Sequence, residues 1–192
     1  FGSSTVTALG VQDAYITKFD ENGNNLWVRS FGGPQEDVVL ALKASEDGSV
    51  YFTGHFDDYI VFQSDTLFSA SSTDIFYGKM DAAGNLEWWK SAGGANLDFP
   101  QDLEIDAEEN VYIGGYFFGT LNFDTASTTS AGFDDMYFAK LDSNGAMLLF
   151  EDIDGFDLPK AIRTVSKTPA ESVDLYDRGE IALDKRADLV RV

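Results

Sequence analysis

A mainly β fold of repeated antiparallel units that lean on one another is predicted by three features of the sequence. The octet Asp13 to Asp20, Asp-Ala-Tyr-Ile-Thr-Lys-Phe-Asp, returns as Asp74 to Asp81 and as Asp135 to Asp142, a step of 61 residues both times. Each copy alternates large apolar residues with small or polar ones and reaches a glycine three residues on, at Gly23, Gly84 or Gly145. That is a strand running into a tight turn. A fixed period of this length marks an architecture in which each unit buries its apolar face on its neighbours.

Phe1, Phe62 and Phe123 stand at one phase of the period, so repeats start at 1, 62 and 123 and the chain reads as a fragment or processed piece. In the first unit, strands are expected near 13–19, 25–31, 38–44 and 50–56, followed by a short hairpin near 60–70. Turn residues separate them at Glu21-Asn22-Gly23-Asn24, Gly32-Gly33-Pro34 and Glu46-Asp47-Gly48. The second unit matches in detail: Trp27 with Trp88, Gly32-Gly33 with Gly93-Gly94, Asp37 with Asp98, and Val50 to Phe56 with Val111 to Phe117. Val50 and Phe52 fall on one face of their strand and Tyr51 on the other, so both faces carry bulk and both are expected to be covered.

The third unit opens faithfully through Gly145 and then departs. Leu149 replaces the tryptophan, and no Val-Tyr-x-x-Gly strand follows Gly155. Apolar residues over 158–165 take helical spacing. Thr168-Pro169-Ala170-Glu171 has the form of a capping box and predicts a second short helix. Glu180-Ile181-Ala182 and Ala187 to Val192 read as two strands.

Composition makes the same division. Of the 33 acidic and 13 basic residues, residues 1–157 hold 27 and 6, a net charge of −21, and 158–192 hold 6 and 7, a net of +1. A repeat region over 1–157 and a helix-plus-two-strand tail of different origin over 158–192 are therefore expected. The acidity argues against nucleic acid and anionic membrane as partners. No apolar run approaches the roughly 18 to 20 residues that span a bilayer as a helix. Without cysteine there is neither a disulfide nor a thiolate metal site.

The residues Asp74, Phe76, Lys79, Asp81, Gly84, Asn85, Trp88, Gly93, Gly94, Asp98, Val111, Tyr112, Gly115 and Phe117 resemble the bacterial SBBP-type β-propeller repeat over about 1–155. The resemblance implies a propeller-like array of antiparallel blades, about two and a half repeats with the ring not closed, in a secreted or surface-attached bacterial protein. Propellers have about four to eight blades, so further blades or self-association would complete the ring. The tail, Thr164 to Val173 and Asp177 to Val192, resembles the C-terminal end of amidohydrolase-superfamily enzymes, with Asp184 where that family has glycine. The resemblance implies a fragment or fusion of a metal-dependent hydrolase without its active site, because the His-x-His metal pair of that family has no counterpart here and His55 is the sole histidine.

Several side chains invite a functional reading. Asp20-x-Asn22-x-Asn24 echoes the alternating oxygen ligands of a calcium loop and would suit a calcium-stabilised adhesin. Asp81 to Asn85 and Asp142 to Ala146 lose those ligands, so a hairpin turn is the preferred reading. Asp57-Asp58 and Asp134-Asp135 are adjacent on the chain, where side chains point apart, which disfavours acid pairs for glycoside hydrolysis. Glu151, Asp152, Asp154 and Asp157 read as a solvated connector. His55, with tyrosine at the matching Tyr116, reads as a packed or surface residue. Trp27 and Trp88 belong to blade core, whereas Trp89 replaces Val28 on the opposite face and is the better candidate for an exposed ligand contact, though packing is preferred there too. The sequence thus predicts no catalytic residue, no cofactor and no metal beyond the calcium candidate. The expected function is a non-catalytic, extracellular or cell-surface module that binds or scaffolds a protein or glycan.

Overall fold

A computed structural model of the protein describes residues 5–153. Fourteen strands run through them: β1 (Ala14–Phe19), β2 (Asn25–Phe31), β3 (Asp37–Ala44), β4 (Val50–Phe56), β5 (Tyr59–Phe62), β6 (Asp65–Phe68), β7 (Asp74–Met80), β8 (Leu86–Ala92), β9 (Asp98–Ile105), β10 (Val111–Phe117), β11 (Thr120–Phe123), β12 (Ala126–Thr129), β13 (Asp135–Leu141) and β14 (Met147–Ile153). The strands and hairpin expected in the first unit are all present, shifted by a residue or two at their ends. The helices and strands expected over 158–192 lie outside the described residues.

The strands form two four-stranded antiparallel sheets, β3-β4-β7-β8 and β9-β10-β13-β14, and three hairpins, β1-β2, β5-β6 and β11-β12. This is a mainly β, propeller-like array of blades. Register repeats with the sequence: Phe56 pairs with Asp74 and Val50 with Met80, as Phe117 pairs with Asp135 and Val111 with Leu141. Each four-stranded blade straddles the sequence period, taking two strands from one repeat and two from the next. The third unit therefore supplies β13 and β14, the last two strands of a full sheet, and the repeat pattern begins to depart within β14.

Burial follows from stacking. One core joins Ala14, Ile16, Trp27 and Phe31 of the first hairpin to Phe52, Phe56, Phe76 and Trp89 of the first full blade. A second joins Tyr51, Ile75 and Tyr77 on the opposite face of that blade to Ile113, Phe117, Phe123 and Tyr137 of the next. Phe31 packs 5.6 Å from Phe52, 5.0 Å from Phe62 and 5.7 Å from Phe76 between ring centres. As expected, both faces of β4 are covered. The matching strand β10 differs: Val111 and Ile113 are buried but Tyr112 and Tyr116 only half so, because no described sheet lies over that face.

The glycine pairs fasten one blade to the next. Gly32 exchanges two backbone hydrogen bonds with Val61 in β5, and Gly93 exchanges two with Asn122 in β11, so each small hairpin reaches back to the last strand of the preceding sheet. A side chain has no room there. A Cβ on Gly32 or Gly93 would strike the carboxyl group of Asp13 or Asp74, and one on Gly33 or Gly94 would strike the carbonyl oxygen of Tyr59 or Thr120. Left-handed backbone positions also recur at the same step even where residue type changes, as at Gly48 and Glu109, Asp58 and Gly119, and Gln63 and Asp124.

Two glycine substitutions test this account. Gly94→Ala forces backbone apart at the hairpin latch and is expected to cost about 1–3 kcal/mol, the usual range for overpacking. Gly114→Ala in β10, where a Cβ meets nothing closer than 3.9 Å, is expected to stay within about 0.5 kcal/mol of the parent. Chemical denaturation of both variants provides the comparison.

Candidate functional site

All the blades share two ends, and the recurring residues divide between them. At one end lie the tight turns. Asp20 Oδ1 accepts the N–H groups of Asn22 (2.9 Å) and Asn24 (2.8 Å), and its Oδ2 accepts the Asn24 side-chain amide (2.8 Å). These bonds, the Asn24 side chain's foremost, hold the Asp20 carboxyl below its ordinary range. Asp81 makes the same set with Ala83 and Asn85. The Asp20, Asn22 and Asn24 trio is thus engaged in shaping a hairpin turn. Among the described residues no three His, Cys, Asp or Glu side chains are placed to hold a metal ion.

The same end carries the inter-blade ties. Trp27 Nε1 donates to the Ala82 carbonyl and Trp88 Nε1 to the Ser143 carbonyl, each at 3.1 Å and each into a turn of the following blade. Arg29 reaches the carbonyls of Gly84 (2.8 Å) and Ala83 (2.9 Å), as Lys90 reaches Gly145 (2.6 Å). Lys79 lies 3.5 Å from Glu109 of the next blade, which also accepts the Tyr51 hydroxyl at 2.7 Å.

Trp89, read from sequence as packed with an exposed contact as the weaker alternative, is buried. Its ring packs against Phe62 with centres 6.0 Å apart, and its Nε1 donates to Asp65 at 3.0 Å. The sequence placed it correctly on the face opposite Trp88. What covers that face is the β5-β6 hairpin, whose return onto β8 is a tertiary event that strand alternation does not reveal.

At the opposite end the buried carboxylates gather. Asp74 accepts the Ala70 N–H at 2.8 Å and Asp37 the Gly33 N–H at 2.6 Å. One oxygen of each, and both oxygens of Asp98, have no hydrogen-bond partner among the described residues. Burial pushes Asp37 and Asp98 up to about 7 and Asp74 up to about 6, and neighbouring carboxylates add to the rise: Asp13 and Asp57 at Asp37, Asp74 at Asp98, and Asp57 at Asp74. Asp57 itself accepts the Thr73 hydroxyl at 2.5 Å. His55 is half-buried beside Glu36 and Asp57, and burial holds its imidazole below its ordinary range despite those charges.

A row of rings crosses this end. His55 meets Phe99 edge-on at 5.1 Å, Phe99 stacks on Tyr116 at 5.2 Å, Tyr116 lies 6.0 Å from Phe118, and Phe118 meets Phe133 edge-on at 5.2 Å. Phe133 is 84% exposed. Sequence reasoning named His55 and Tyr116 but missed the row. A signal was present: at the equivalent positions one period earlier stand Val38, His55, Asp57 and Ser72, so the four rings of the last blade depart from the repeat. The second residue of the Asp134-Asp135 pair accepts the Ala131 N–H at 2.5 Å, while Asp134 is exposed next to Phe133. The side chains of Glu151, Asp152, Asp154 and Asp157 lie outside the described residues.

Comparison with known proteins agrees with a repeat architecture. The chain is similar to an uncharacterized WD repeat-containing protein of Acanthamoeba polyphaga mimivirus, 26% identical over 144 residues, which is 68% of this chain and 10% of the relative. It is also similar to the regulatory protein FlaEY of Caulobacter vibrioides, 28% identical over 172 residues, 88% of this chain and 17% of the relative. The chain thus spans under a fifth of the length of either relative. No protein-family model matches it. Among the described residues no helix is long and apolar enough to cross a membrane.

The buried carboxylates give a pH dependence with a defined sign. Raised in the folded state, Asp37, Asp74 and Asp98 keep protons that the unfolded chain gives up near pH 4. Their contribution to stability is full below that value and lost as pH rises through about 6 to 7. Asp47, lowered to about 2 chiefly by the Ser45 hydroxyl, acts in the opposite sense but only at lower pH. The melting temperature is therefore expected to fall between about pH 5 and about pH 8. Asp98→Asn should flatten the curve by raising its alkaline arm.

Proposed function

We propose that the chain is part of a non-catalytic, propeller-type binding and scaffold protein that works outside the cell or on its surface. One observation carries this reading. The glycine pairs, Trp27 and Trp88, and Arg29 and Lys90 recur and join one blade to the next, whereas at the opposite end Val38, His55, Asp57 and Ser72 give way to the rings Phe99, Tyr116, Phe118 and Phe133. A rigid frame with a variable rim is the usual division of labour in a recognition module. Similarity to a WD repeat-containing protein supports a propeller-type repeat, and the resemblance to secreted SBBP repeats supports the location.

The frame extends beyond the described blades. Ile75 and Tyr77 are fully covered by the following sheet, while Met136, equivalent to Ile75, is 51% exposed and Phe138, equivalent to Tyr77, is half-buried. Another blade of the longer protein fits over this Tyr112 and Phe138 face, and the much greater length of the relatives leaves room for it.

Two assays together test the reading. Immobilised protein is expected to retain a protein partner from secreted or surface fractions of its source cells, with binding lost on thermal unfolding. Hydrolysis screens over glycosides, esters and phosphoesters are expected to show no turnover. Activity abolished by a single Asp or Glu substitution would overturn the proposal.

A further inference from the structure

We infer that the row His55, Phe99, Tyr116, Phe118 and Phe133 is a docking strip for a Lys- or Arg-rich segment of a partner protein. The inference rests on the binding-module reading and names the chemistry of its partner. Three observations converge on it.

First, the fold does not need these rings. The preceding blade makes the same strands and the same register with Val38, Asp57 and Ser72 at the places of Phe99, Phe118 and Phe133. A phenylalanine left 84% exposed beside a half-buried neighbour contributes little core and adds apolar area facing water. Asp57 and Ser72 keep partial exposure even with a blade stacked over their sheet, so the Phe118 and Phe133 end of the row stays reachable when a further blade covers Tyr116.

Second, among the described residues the surface around it lacks compensating positive charge. Residues 1–157 carry 27 acidic and 6 basic side chains. All six basic groups are already engaged: Lys18 and Arg29 by turn carbonyls, Lys43 by Glu104, Lys79 by Glu87 and Glu109, Lys90 by Gly145 and Asp124, and Lys140 by Asp106. The row, by contrast, is flanked by carboxylates, with Glu36 and Asp57 acting on His55 at one end and exposed Asp134 adjoining Phe133 at the other. Such a field draws cations and repels anionic ligands.

Third, aromatic faces already hold cations within this chain. Lys79 lies 5.2 Å from the Tyr51 ring centre, Lys140 4.9 Å from that of Tyr112 and Arg29 5.7 Å from that of Trp27. A series of rings spaced 5 to 6 Å apart and bordered by carboxylates offers the same combination to ligand cations: quadrupole attraction from the faces, charge from the rim. An extended chain presents alternate side chains on one side, so a basic segment lying along the reachable Phe118 and Phe133 end can place cations over those rings.

Fluorescence anisotropy with a labelled peptide of alternating arginine and glycine tests the strip, using the intact chain. The folded protein is expected to bind this peptide and not its glutamate counterpart, with affinity falling as salt is raised. Phe133→Ala, whose exposure makes it harmless to folding, is expected to weaken binding roughly two- to fivefold. Phe68→Ala, 69% exposed on β6, should leave binding unchanged while thermal melts confirm that both variants are folded. Equal binding by Phe133→Ala and the parent would overturn the inference, since acidity alone would then account for affinity. So would tighter binding of a neutral oligosaccharide, or no binding of the peptide by folded protein. Each of these results leaves the broader binding-module reading to stand or fall on partner capture, so the two failures are distinguishable.

Discussion

Apolar side chains stand on both faces of each full sheet in this chain, and a four-stranded sheet can hide neither face by itself. On β4 the buried set is Val50, Phe52 and Phe56 toward one neighbour and Tyr51 and Thr53 toward the other. The sheet β3-β4-β7-β8 is therefore sandwiched between its neighbours, and the structure follows from how closely successive sheets approach. The closest approach sets the strictest demand: two glycines at the end of β2 and β8, where a carboxyl group and a hairpin carbonyl occupy the space a Cβ would need. Burying a large apolar side chain contributes about 1.5–3 kcal/mol. The buried rings can deliver that only if the backbone latch closes over them, which ties the glycine pair to the core energetically as well as geometrically.

Stacking also explains why polarity separates by end. At the turn end, carbonyls left unpaired by the tight turns need donors, and indole, guanidinium and ammonium groups from the preceding blade supply them. Lys79, Tyr51 and Glu109 form one such tie across a blade boundary, with Glu109 held at a φ of 61° that costs strain in a residue other than glycine. At the other end Asp37 and Asp74, at the starts of β3 and β7, close the loops that precede them. Burial makes those aspartates costly as anions and raises their carboxyl groups above the ordinary range, against the backbone N–H bonds that favour the ionised form. The result is a molecule tied from blade to blade at its turns, with its buried carboxyl groups collected at the opposite rim.

Much of this was legible in the sequence because a period of 61 residues reports the same local physics more than once. Alternation placed β1 to β4, Gly23 and Gly84 marked turns, and the Asp20, Asn22 and Asn24 pattern resolved to a turn when set against its weaker copies. Three things were not legible. Sequence phase fixed the repeat but not the sheet boundary, since hydrogen bonding between β4 and β7 crosses from one repeat to the next. Strand alternation placed Trp89 on the correct face without showing that β5 and β6 fold back over it, because a hairpin's destination is set by its latch to Gly32 rather than by its own residues. The aromatic row was hidden for a related reason: Phe99, Tyr116 and Phe133 come from separate segments, and their departure from the repeat gains meaning only once the fold brings them together.

Repetition supplies a background against which single residues acquire meaning. Where three units agree, the shared residue answers to the stacking geometry common to them all. Where one unit differs without a change in backbone, stacking cannot be the cause. Leu149 in β14 replaces the indole that Trp27 and Trp88 use to grip a following turn, and Glu151 stands where Arg29 and Lys90 supply a cation. Lys140 turns back to Asp106 of its own blade instead of crossing to another. A blade placed over the Tyr112 and Phe138 face must accordingly be joined by a different set of contacts from those that join the first two. The last described blade thus changes at both ends, losing the ties that face its turns and gaining rings at the rim. Because its strand register is that of the blade before it, these changes alter what the blade can meet and leave intact how it folds.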